Sequence, residues 1–83
     1  MIEVNTMSVK IYTTTTCPYC RMAKEFFKKN NVIYTEINVE TDQKATEEMI
    51  EKSGQMGVPV IDVNGKIIVG FDRPALEKAL KLG

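Results

Sequence analysis

Apolar and polar residues follow one another along the chain in short blocks whose spacing predicts seven elements in the order β-α-β-α-β-β-α. Residues Val9–Thr13 form a β-branched and aromatic run that continues into the threonines at 14–16, so they predict the first strand. From Pro18 onward, apolar residues recur at helical spacing until the Asn30-Asn31 pair, which predicts the first helix.

The middle of the chain predicts a second strand and a second helix. β-Branched and aromatic residues dominate positions 32–39, where Ile33 and Ile37 fall on one face at a period of two. Asp42 is a favourable N-cap for the helix that follows, and Gly54 supplies the glycine that commonly ends one. The second helix therefore spans the residues between these two positions.

The last third of the chain predicts a β-hairpin and a closing helix. Two β-rich runs, 58–63 and Lys66–Val69, are joined by Asn64-Gly65, a dipeptide typical of type I′ turns because both central residues take positive φ. The two runs should therefore pair antiparallel. Asp72 can cap the closing helix, which has a proline in its first turn.

This order of elements predicts an α/β domain with a four-stranded mixed sheet flanked by helices. The first two strands, joined through a helix, should be parallel, and the hairpin adds two antiparallel strands. The natural core anchors are Phe26, Phe27, Ile50 and Leu76. With 83 residues and no internal repeat or linker, we expect one domain over 1–83.

Composition narrows the classes of function. Eleven Lys plus Arg balance eleven Asp plus Glu, so the chain has no net charge to attract nucleic acid or an anionic membrane. Histidine is absent, which removes the commonest general base and the commonest metal ligand. No run approaches the roughly 18 apolar residues of a membrane span, and the start lacks the pattern of a signal peptide, so we expect a cytoplasmic protein.

The two cysteines are the candidate chemistry, because two are too few for a disulfide-stapled secreted domain. They lie in the segment Thr16-Cys17-Pro18-Tyr19-Cys20, where the first strand turns into the first helix. If Cys17 is the N-cap, its sulfur faces the unpaired amides of Tyr19 and Cys20 and the positive end of the helix dipole, which lowers the pKa of the thiol without a histidine. Pro18 suits the first helical position because it has no N–H.

Cys20 lies one helical turn after Cys17, within the separation that a disulfide tolerates. This spacing indicates a dithiol reaction in which Cys17 attacks a substrate disulfide and Cys20 resolves the mixed disulfide. Two other interpretations stay open at this point. One is half of a zinc site, although four ligands are needed and the chain has neither a third cysteine nor a histidine. The other is an inert structural disulfide, although so short a loop removes little entropy from the unfolded chain.

Four segments together carry a resemblance to a known family. They are Ile11-Tyr12-Thr13, Cys17-Pro18-Tyr19-Cys20, Gly57-Val58-Pro59 and Gly70-Phe71-Asp72. With them the chain resembles the glutaredoxins, small dithiol oxidoreductases of the thioredoxin fold, over about residues 8–82. The resemblance implies a sheet order of 2-1-3-4 and a glutathione-linked thiol-disulfide oxidoreductase that reduces protein disulfides and glutathione mixed disulfides. Glutathione would be the co-substrate, with no bound cofactor and no metal.

The resemblance also implies roles for residues around the cysteines. Pro59 would be cis and pack beside them, and the backbone of Val58 would pair with that of a bound cysteinyl substrate. The alternative is that Pro59 merely opens an edge strand. Pro18 and Tyr19 would support the cysteines, and Thr16 is the better candidate among the neighbouring threonines for a hydrogen bond to the thiolate.

The residues expected to bind glutathione match the family unevenly. Thr14 stands where many glutaredoxins carry a lysine for the glycyl carboxylate. Gln55 stands where a glutamine or arginine often contacts the same carboxylate, and Gly57 replaces the usual threonine before Val-Pro. Phe71 and Asp72 occupy the place where two backbone amides and an aspartate hold the γ-glutamyl end, although Asp72 is equally suited to be only a helix N-cap.

These departures leave two alternatives to a glutathione-linked function. Phe71 followed by Arg73-Pro74 is similar to small redoxins that draw electrons from thioredoxin reductase and serve ribonucleotide reductase. The other alternative is a binding module in which two chains share an iron-sulfur cluster through Cys17 and glutathione, which Pro18 disfavours. We expect the partners to be glutathione and disulfide-containing proteins, with no nucleic acid or membrane, and the chain to be a monomer.

Overall fold

The computed structural model of the protein describes residues 8–81. Its strands are β1 (Val9–Thr13), β2 (Thr35–Asn38), β3 (Val60–Val63) and β4 (Lys66–Val69), and its helices are α1 (Pro18–Lys29), α2 (Gln43–Ser53) and α3 (Arg73–Ala79). They follow one another in the predicted order. Within this part of the chain, no helix is both long enough and apolar enough to cross a membrane.

β1 lies inside a four-stranded sheet with the order β2-β1-β3-β4. It pairs in parallel with β2, with Thr13 opposite Asn38, and antiparallel with β3, with Tyr12 opposite Val60. β3 and β4 form the antiparallel hairpin, with Val60 opposite Val69. The thioredoxin-like sheet with strand order 2-1-3-4 is therefore confirmed.

Side chains on the two faces of the sheet build two separate cores. α1 and α3 cover one face, where Ile11, Phe27 and Leu76 are fully buried. α2 covers the other face, where Tyr12 is fully buried. Ile11 and Tyr12 are neighbours in β1 and point to opposite faces, as the period of a strand requires. Of the predicted anchors, three lie in the first core: Phe26, Phe27 and Leu76. The fourth, Ile50, is half-buried and packs against the second core.

The second strand is shorter than predicted, because it begins at Thr35 and not at residue 32. The amide of Val32 donates to the carbonyl of Phe27 at 2.8 Å, so it helps to end α1 instead of pairing with β1. Ile33, expected on the apolar face of the strand, is 85% exposed. Only the second half of the alternating pattern over 32–39 is a strand.

The predicted caps and hairpin turn are present. Asp42 caps α2 by accepting a hydrogen bond from the amide of Ala45 at 3.0 Å, and Gly54 ends the helix with a φ of 75°. Asn64 and Gly65 both have positive φ, at 55° and 96°, as a type I′ hairpin turn needs. Short local signals therefore determine where these elements begin and end.

A partly buried ion pair links α2 to the sheet. The Lys52 ammonium donates to the carboxylate of Asp62 at 2.8 Å and to the hydroxyl of Tyr12 at 3.0 Å. The Tyr12 hydroxyl donates to the carboxylate of Glu48 at 2.9 Å. The Asp62 carboxylate also accepts from the amide of Gly65 in the hairpin turn at 2.7 Å. One cation thus joins the helix, β1 and the hairpin.

The network shifts the ionisation of its members. Burial, the largest influence, raises the pKa of the Asp62 carboxyl, but the hydrogen bonds from Lys52 and from the Gly65 amide outweigh it and leave that pKa below its ordinary value. The Asp62 carboxylate in turn raises the pKa of the Lys52 ammonium. A carboxyl whose pKa is lower in the folded state stabilises the fold above its unfolded pKa, and this contribution is lost as the pH falls through the folded value.

We expect Lys52→Met to lower the free energy of unfolding by about 1–3 kcal/mol at neutral pH, because it leaves the partly buried Asp62 carboxylate without its cation. The difference from wild type should shrink below about pH 4, as Asp62 becomes protonated. Urea unfolding at neutral and at acid pH measures both effects. Lys44→Met changes an exposed lysine of the same helix and is the control, with an expected loss below about 0.5 kcal/mol. Equal losses in the two variants would contradict the role given to the network.

Candidate active site

Cys17 caps the first turn of α1, where the chain leaves β1 and enters the helix. Its backbone is extended, with a φ of −121° and a ψ of 103°, and its sulfur accepts a hydrogen bond from the amide of Cys20 at 3.1 Å. Pro18 occupies the first helical position. The predicted N-cap geometry is therefore present. Of the two amides expected to face the sulfur, that of Cys20 donates to it, whereas no hydrogen bond from the Tyr19 amide is found within residues 8–81.

The two cysteines differ in how far they are exposed. They are joined by a disulfide, and their Cα atoms lie 5.2 Å apart. Cys17 is 9% exposed and Cys20 is 1% exposed. Cys17 is therefore the more accessible of the two, while Cys20 is buried and bonded to it. This is the asymmetry that a nucleophile and a resolving thiol require.

A cleft of about 580 Å³ beside this turn collects five of the predicted site residues. The first turn of α1, the loop before β3 and the segment between β4 and α3 all contribute to it, and we call it the active-site cleft. The five residues are Tyr19, Val58, Pro59, Phe71 and Asp72. The other predicted site residues do not line it: Thr14, Thr16, Cys17, Pro18, Cys20 and Gln55.

One wall of the active-site cleft is the loop that leads into β3. The Val58-Pro59 peptide bond is cis, as the resemblance implied. β3 begins at Val60 and not at residue 58 as predicted, because proline has no N–H for a strand ladder. The carbonyl of Pro59 accepts from the amide of Gly70 at 2.8 Å, which ties the loop to the end of β4. Within residues 8–81 the amide and carbonyl of Val58 have no hydrogen-bond partner, so a bound chain can pair with both.

The segment between β4 and α3 brings polar backbone to the same cleft. Asp72 caps α3 by accepting from the amide of Ala75 at 3.2 Å, so its capping role is confirmed. Among the described residues, the amides of Phe71 and Asp72 donate to no protein group. Two amides and an exposed carboxylate therefore lie together at the cleft, and their contact with glutathione stays a prediction.

Gln55 is turned onto its own loop. Its side-chain NH₂ group donates to the carbonyl of Gly57 at 3.0 Å and to the hydroxyl of Ser53 at 3.2 Å, while its Oε1 accepts from the Gly57 amide at 2.7 Å. A Cβ atom at position 57 would lie 2.7 Å from that Oε1, so a larger residue there would push the Gln55 side chain away. The predicted contact of Gln55 with glutathione would require these hydrogen bonds to break.

The loop that delivers Cys17 is held in place by Glu40. The Glu40 carboxylate accepts from the amide of Thr15 at 3.2 Å and from its hydroxyl at 2.6 Å. Asn38 completes the arrangement, because its side chain donates to the Thr15 hydroxyl at 3.3 Å and accepts from the Glu40 amide at 2.8 Å. Thr16, which was expected to contact the thiolate, makes no hydrogen bond to Cys17 within residues 8–81.

Glu40 is not among the residues expected from the sequence, although its position carries a signal. β1 and β2 are parallel neighbours, so the residues that follow their carboxyl ends meet at the same edge of the sheet. Glu40 comes two residues after the end of β2. A polar residue there is a candidate to hold the loop that follows β1, which contains Thr15.

The described residues do not assemble a metal site. Within residues 8–81, no three cysteine, aspartate or glutamate side chains are grouped closely enough to hold a metal ion. Cys17 and Cys20 are the only cysteines in the sequence, and the chain has no histidine. A tetrahedral zinc site therefore lacks ligands within this part of one chain.

Comparisons with known proteins point to one family. A family model described as Glutaredoxin matches residues 9–68. An uncharacterized glutaredoxin-like 8.6 kDa protein in the rubredoxin operon of Clostridium pasteurianum is 45% identical over 73 residues, covering 88% of this chain and 97% of that protein. Glutaredoxin 3 of Escherichia coli is 38% identical over 65 residues, covering 78% of each chain.

Solved structures share the fold. The crystal structure of a glutaredoxin from Archaeoglobus fulgidus matches with a TM-score of 0.82 at 27% identity, covering 93% of this chain and 89% of that one. The crystal structure of a mutant thioredoxin-like protein matches with a TM-score of 0.86 at 29% identity, covering 92% of this chain and 97% of that one. Both similarities extend over nearly the whole chain.

We expect Glu40→Ala to raise the pH midpoint of Cys17 alkylation by about 0.5 unit, because a loosened loop weakens a cap of ~1 kcal/mol. The measurement is the iodoacetamide reaction rate against pH, made with reduced protein in a Cys20→Ser background so that one thiol reacts. Glu40→Gln is the matched control, since its side-chain oxygen still accepts from Thr15 while the charge is gone. It should not raise the midpoint. An unchanged midpoint in Glu40→Ala, or an equal rise in both variants, would show that Glu40 does not position Cys17.

Proposed function

The chain belongs to the glutaredoxin family, and on that basis we propose that it reduces protein disulfides and glutathione mixed disulfides, with glutathione as co-substrate. Glutaredoxins are generally thiol-disulfide oxidoreductases that use glutathione in this way. The observation that carries the proposal is the sulfur of Cys17 at the N-cap of α1, with the buried Cys20 one helical turn behind it. A thiolate at a helix N-terminus is stabilised by the unpaired amides there, so it forms near neutral pH without a basic side chain.

The reaction proceeds through two exchanges. The Cys17 thiolate attacks one sulfur of the substrate disulfide, which forms a mixed disulfide and releases the other sulfur as a thiolate. The Cys20 thiolate then attacks the Cys17 sulfur, which releases the second substrate thiolate and leaves the Cys17–Cys20 disulfide. The substrate has gained two electrons, and two glutathione molecules return the dithiol by forming glutathione disulfide. The disulfide in the structure corresponds to the oxidised state of this cycle.

Groups of the active-site cleft support the substrate side of this proposal. The amide and carbonyl of Val58 have no partner within residues 8–81, which supports a short antiparallel pairing with the backbone of a cysteinyl substrate. The amides of Phe71 and Asp72, with the Asp72 carboxylate, suit the carboxylate and ammonium of a γ-glutamyl group. Tyr19 is 61% exposed and gives the cleft an apolar side.

The glycyl side of glutathione is less well provided for, and this favours a second candidate. Thr14 is neutral, and Gln55 is committed to hydrogen bonds within its own loop. Lys24 of α1, a cation that could replace the missing lysine, already donates to the carboxylate of Glu36 at 2.9 Å. The alternative is a redoxin of the same mechanism that thioredoxin reductase reduces and that serves as hydrogen donor to ribonucleotide reductase. The cytoplasmic location and the monomeric state expected from the sequence belong to either form of the proposal.

We expect Cys17→Ser to abolish turnover, because no second accessible thiol replaces the nucleophile. Cys20→Ser should still turn over glutathione mixed disulfides, where a second glutathione completes the exchange, and should lose turnover on protein disulfides, which need both thiols of the enzyme. Activity is measured as thiol release from each substrate class by the reduced protein. Full activity without Cys17 would overturn the proposed mechanism.

The electron donor is tested by coupled oxidation of NADPH. With a small disulfide as acceptor, we expect glutathione and glutathione reductase to sustain turnover, and thioredoxin reductase alone to give less than about a tenth of that rate. The same protein sample is used in both arms, so a difference reports the donor and not the quality of the protein. Turnover with thioredoxin reductase and none with glutathione would establish the alternative.

A further inference from the structure

The helices α1 and α2, which cover opposite faces of the sheet, carry net charges of opposite sign, although the formal net charge of the chain is zero. α1, which covers one face together with α3, carries four cations and a single carboxylate. α2, which covers the other face, carries three glutamates and has an aspartate as its cap, against two lysines. One of those lysines, Lys52, is paired with Asp62. The composition indicates no net charge, but the fold places the basic helix α1 on one face of the sheet and the acidic helix α2 on the other. We call these the basic face and the acidic face.

Three of the four cations of α1 have no ion-pair partner within residues 8–81. Lys24 pairs with Glu36. Among the described residues, no carboxylate lies within 4 Å of the cationic groups of Arg21, Lys28 or Lys29, and all three side chains are exposed. Lysines in the last turn of a helix interact favourably with the helix dipole, so Lys28 and Lys29 should stabilise α1. This stabilising role is separate from any role in the groove beside α1.

A groove of about 530 Å³ runs between α1 and α3 on this face. Its apolar floor is formed by Met22, which is 46% exposed, and by the edge-to-face pair of Phe26 and Phe71, whose ring centroids lie 5.9 Å apart. Its rim carries two cations and two carboxylates, of which Arg73 and Glu77 pair with each other at 3.2 Å. The groove is therefore apolar at its base and balanced in charge at its rim, where Lys29 is the one cation from α1; Arg21 and Lys28 belong to the same helix but do not line the groove.

The groove is continuous with the active-site cleft, because Phe71 and Arg73 line both. Met22 and Lys29 come five and twelve residues after Cys17, which places them roughly 7 and 18 Å along the helix from it. An extended chain advances about 3.3 Å per residue. Residues about two to six positions away from a cysteine bound at Cys17 would therefore reach this groove.

We propose that Met22, Phe26 and Phe71, together with Arg21, Lys28 and Lys29, form a docking surface for the protein substrate, and that its occupant is an acidic segment with an apolar side chain beside the substrate's reactive cysteine. The apolar side chain fills the groove, and the acidic residues face the unpaired cations of α1. An acidic partner is also turned away from the α2 face by Asp42 and the glutamates there. The inference rests on the proposed disulfide reductase function and names its substrate class.

The test uses two synthetic peptides and one small probe. Each peptide has a single cysteine in a mixed disulfide with 2-mercaptoethanol, and carries a leucine and two charged residues between two and six positions from it on both sides. The charged residues are glutamates in one peptide and lysines in the other. The small probe is the neutral disulfide of 2-mercaptoethanol. Pre-reduced protein is mixed with each in a single turnover, so its own dithiol supplies the two electrons and no donor enters the comparison.

We expect the glutamate peptide to be reduced about tenfold faster than the lysine peptide at low ionic strength, with the ratio falling towards one as salt screens the charges. Lys28→Glu with Lys29→Glu should lower the rate for the glutamate peptide about threefold to tenfold and leave the small probe unchanged. Lys44→Glu with Lys66→Glu makes the same change in net charge outside both clefts and is the matched control. Met22→Ser should slow both peptides, because both carry the leucine.

The outcomes separate this proposal from the function on which it rests. No reduction of the small probe would count against the disulfide reductase function itself. Reduction of the probe with equal rates for the two peptides, or equal effects of the two double variants, would overturn the docking proposal alone. Wild-type binding to a DNA duplex that Lys28→Glu with Lys29→Glu abolishes, without any preference between the peptides, would also overturn it and assign the basic face to nucleic acid.

Discussion

The hydrogen bond from the Cys20 amide to the Cys17 sulfur is the interaction on which the site depends. The first turn of any α-helix has amides without helical partners, and here the residue that caps them is a cysteine. The same few atoms therefore cap the start of the helix and provide a favourable position for a thiolate. Because the chain contains no histidine, we propose that this backbone environment takes the part that an imidazole has in many thiol enzymes.

The topology of the sheet explains why residues from distant parts of the sequence meet beside Cys17. β1, β2 and β4 all end at one edge of the sheet, and the antiparallel β3 begins there. The loop before Cys17 follows β1, Glu40 follows β2, Pro59 precedes β3 and Phe71 follows β4. Hydrogen bonds between these loops, from Thr15 to Glu40 and from Gly70 to Pro59, then hold the edge together. The active-site cleft is a direct consequence of strand order and direction.

Features that depend on short stretches of sequence could be predicted, and features that depend on packing between stretches could not. The N-cap at Cys17, the turn at Asn64-Gly65 and the order of the elements follow from local spacing and side-chain chemistry. The late start of the second strand depends on the Val32 amide, which bonds back to α1. The inward turn of Gln55 depends on the absence of a Cβ atom two residues later. Neither arrangement leaves a trace in hydrophobic periodicity.

Charge shows the same division between composition and fold. A balanced count of acidic and basic residues indicates no field, yet the sheet places α1 and α2 on opposite faces and so separates their charges. The net charge of each helix can be read from the sequence. Which face of the sheet each helix covers, and so where each charge lies, is known only from the fold. The basic face is the one that includes the helix of Cys17, so it lies next to the site where a substrate must bind.

The most direct test of the account is the ionisation of Cys17 itself, measured from the ultraviolet absorbance of the thiolate in the reduced Cys20→Ser protein as the pH is raised. The backbone of residue 20 still donates in this variant, and Cys17 is then the only thiol. We expect a midpoint about one unit or more below the ordinary cysteine value of about 8.5. A midpoint at or above about 8.5 would contradict the claim that the first turn of α1 activates this sulfur.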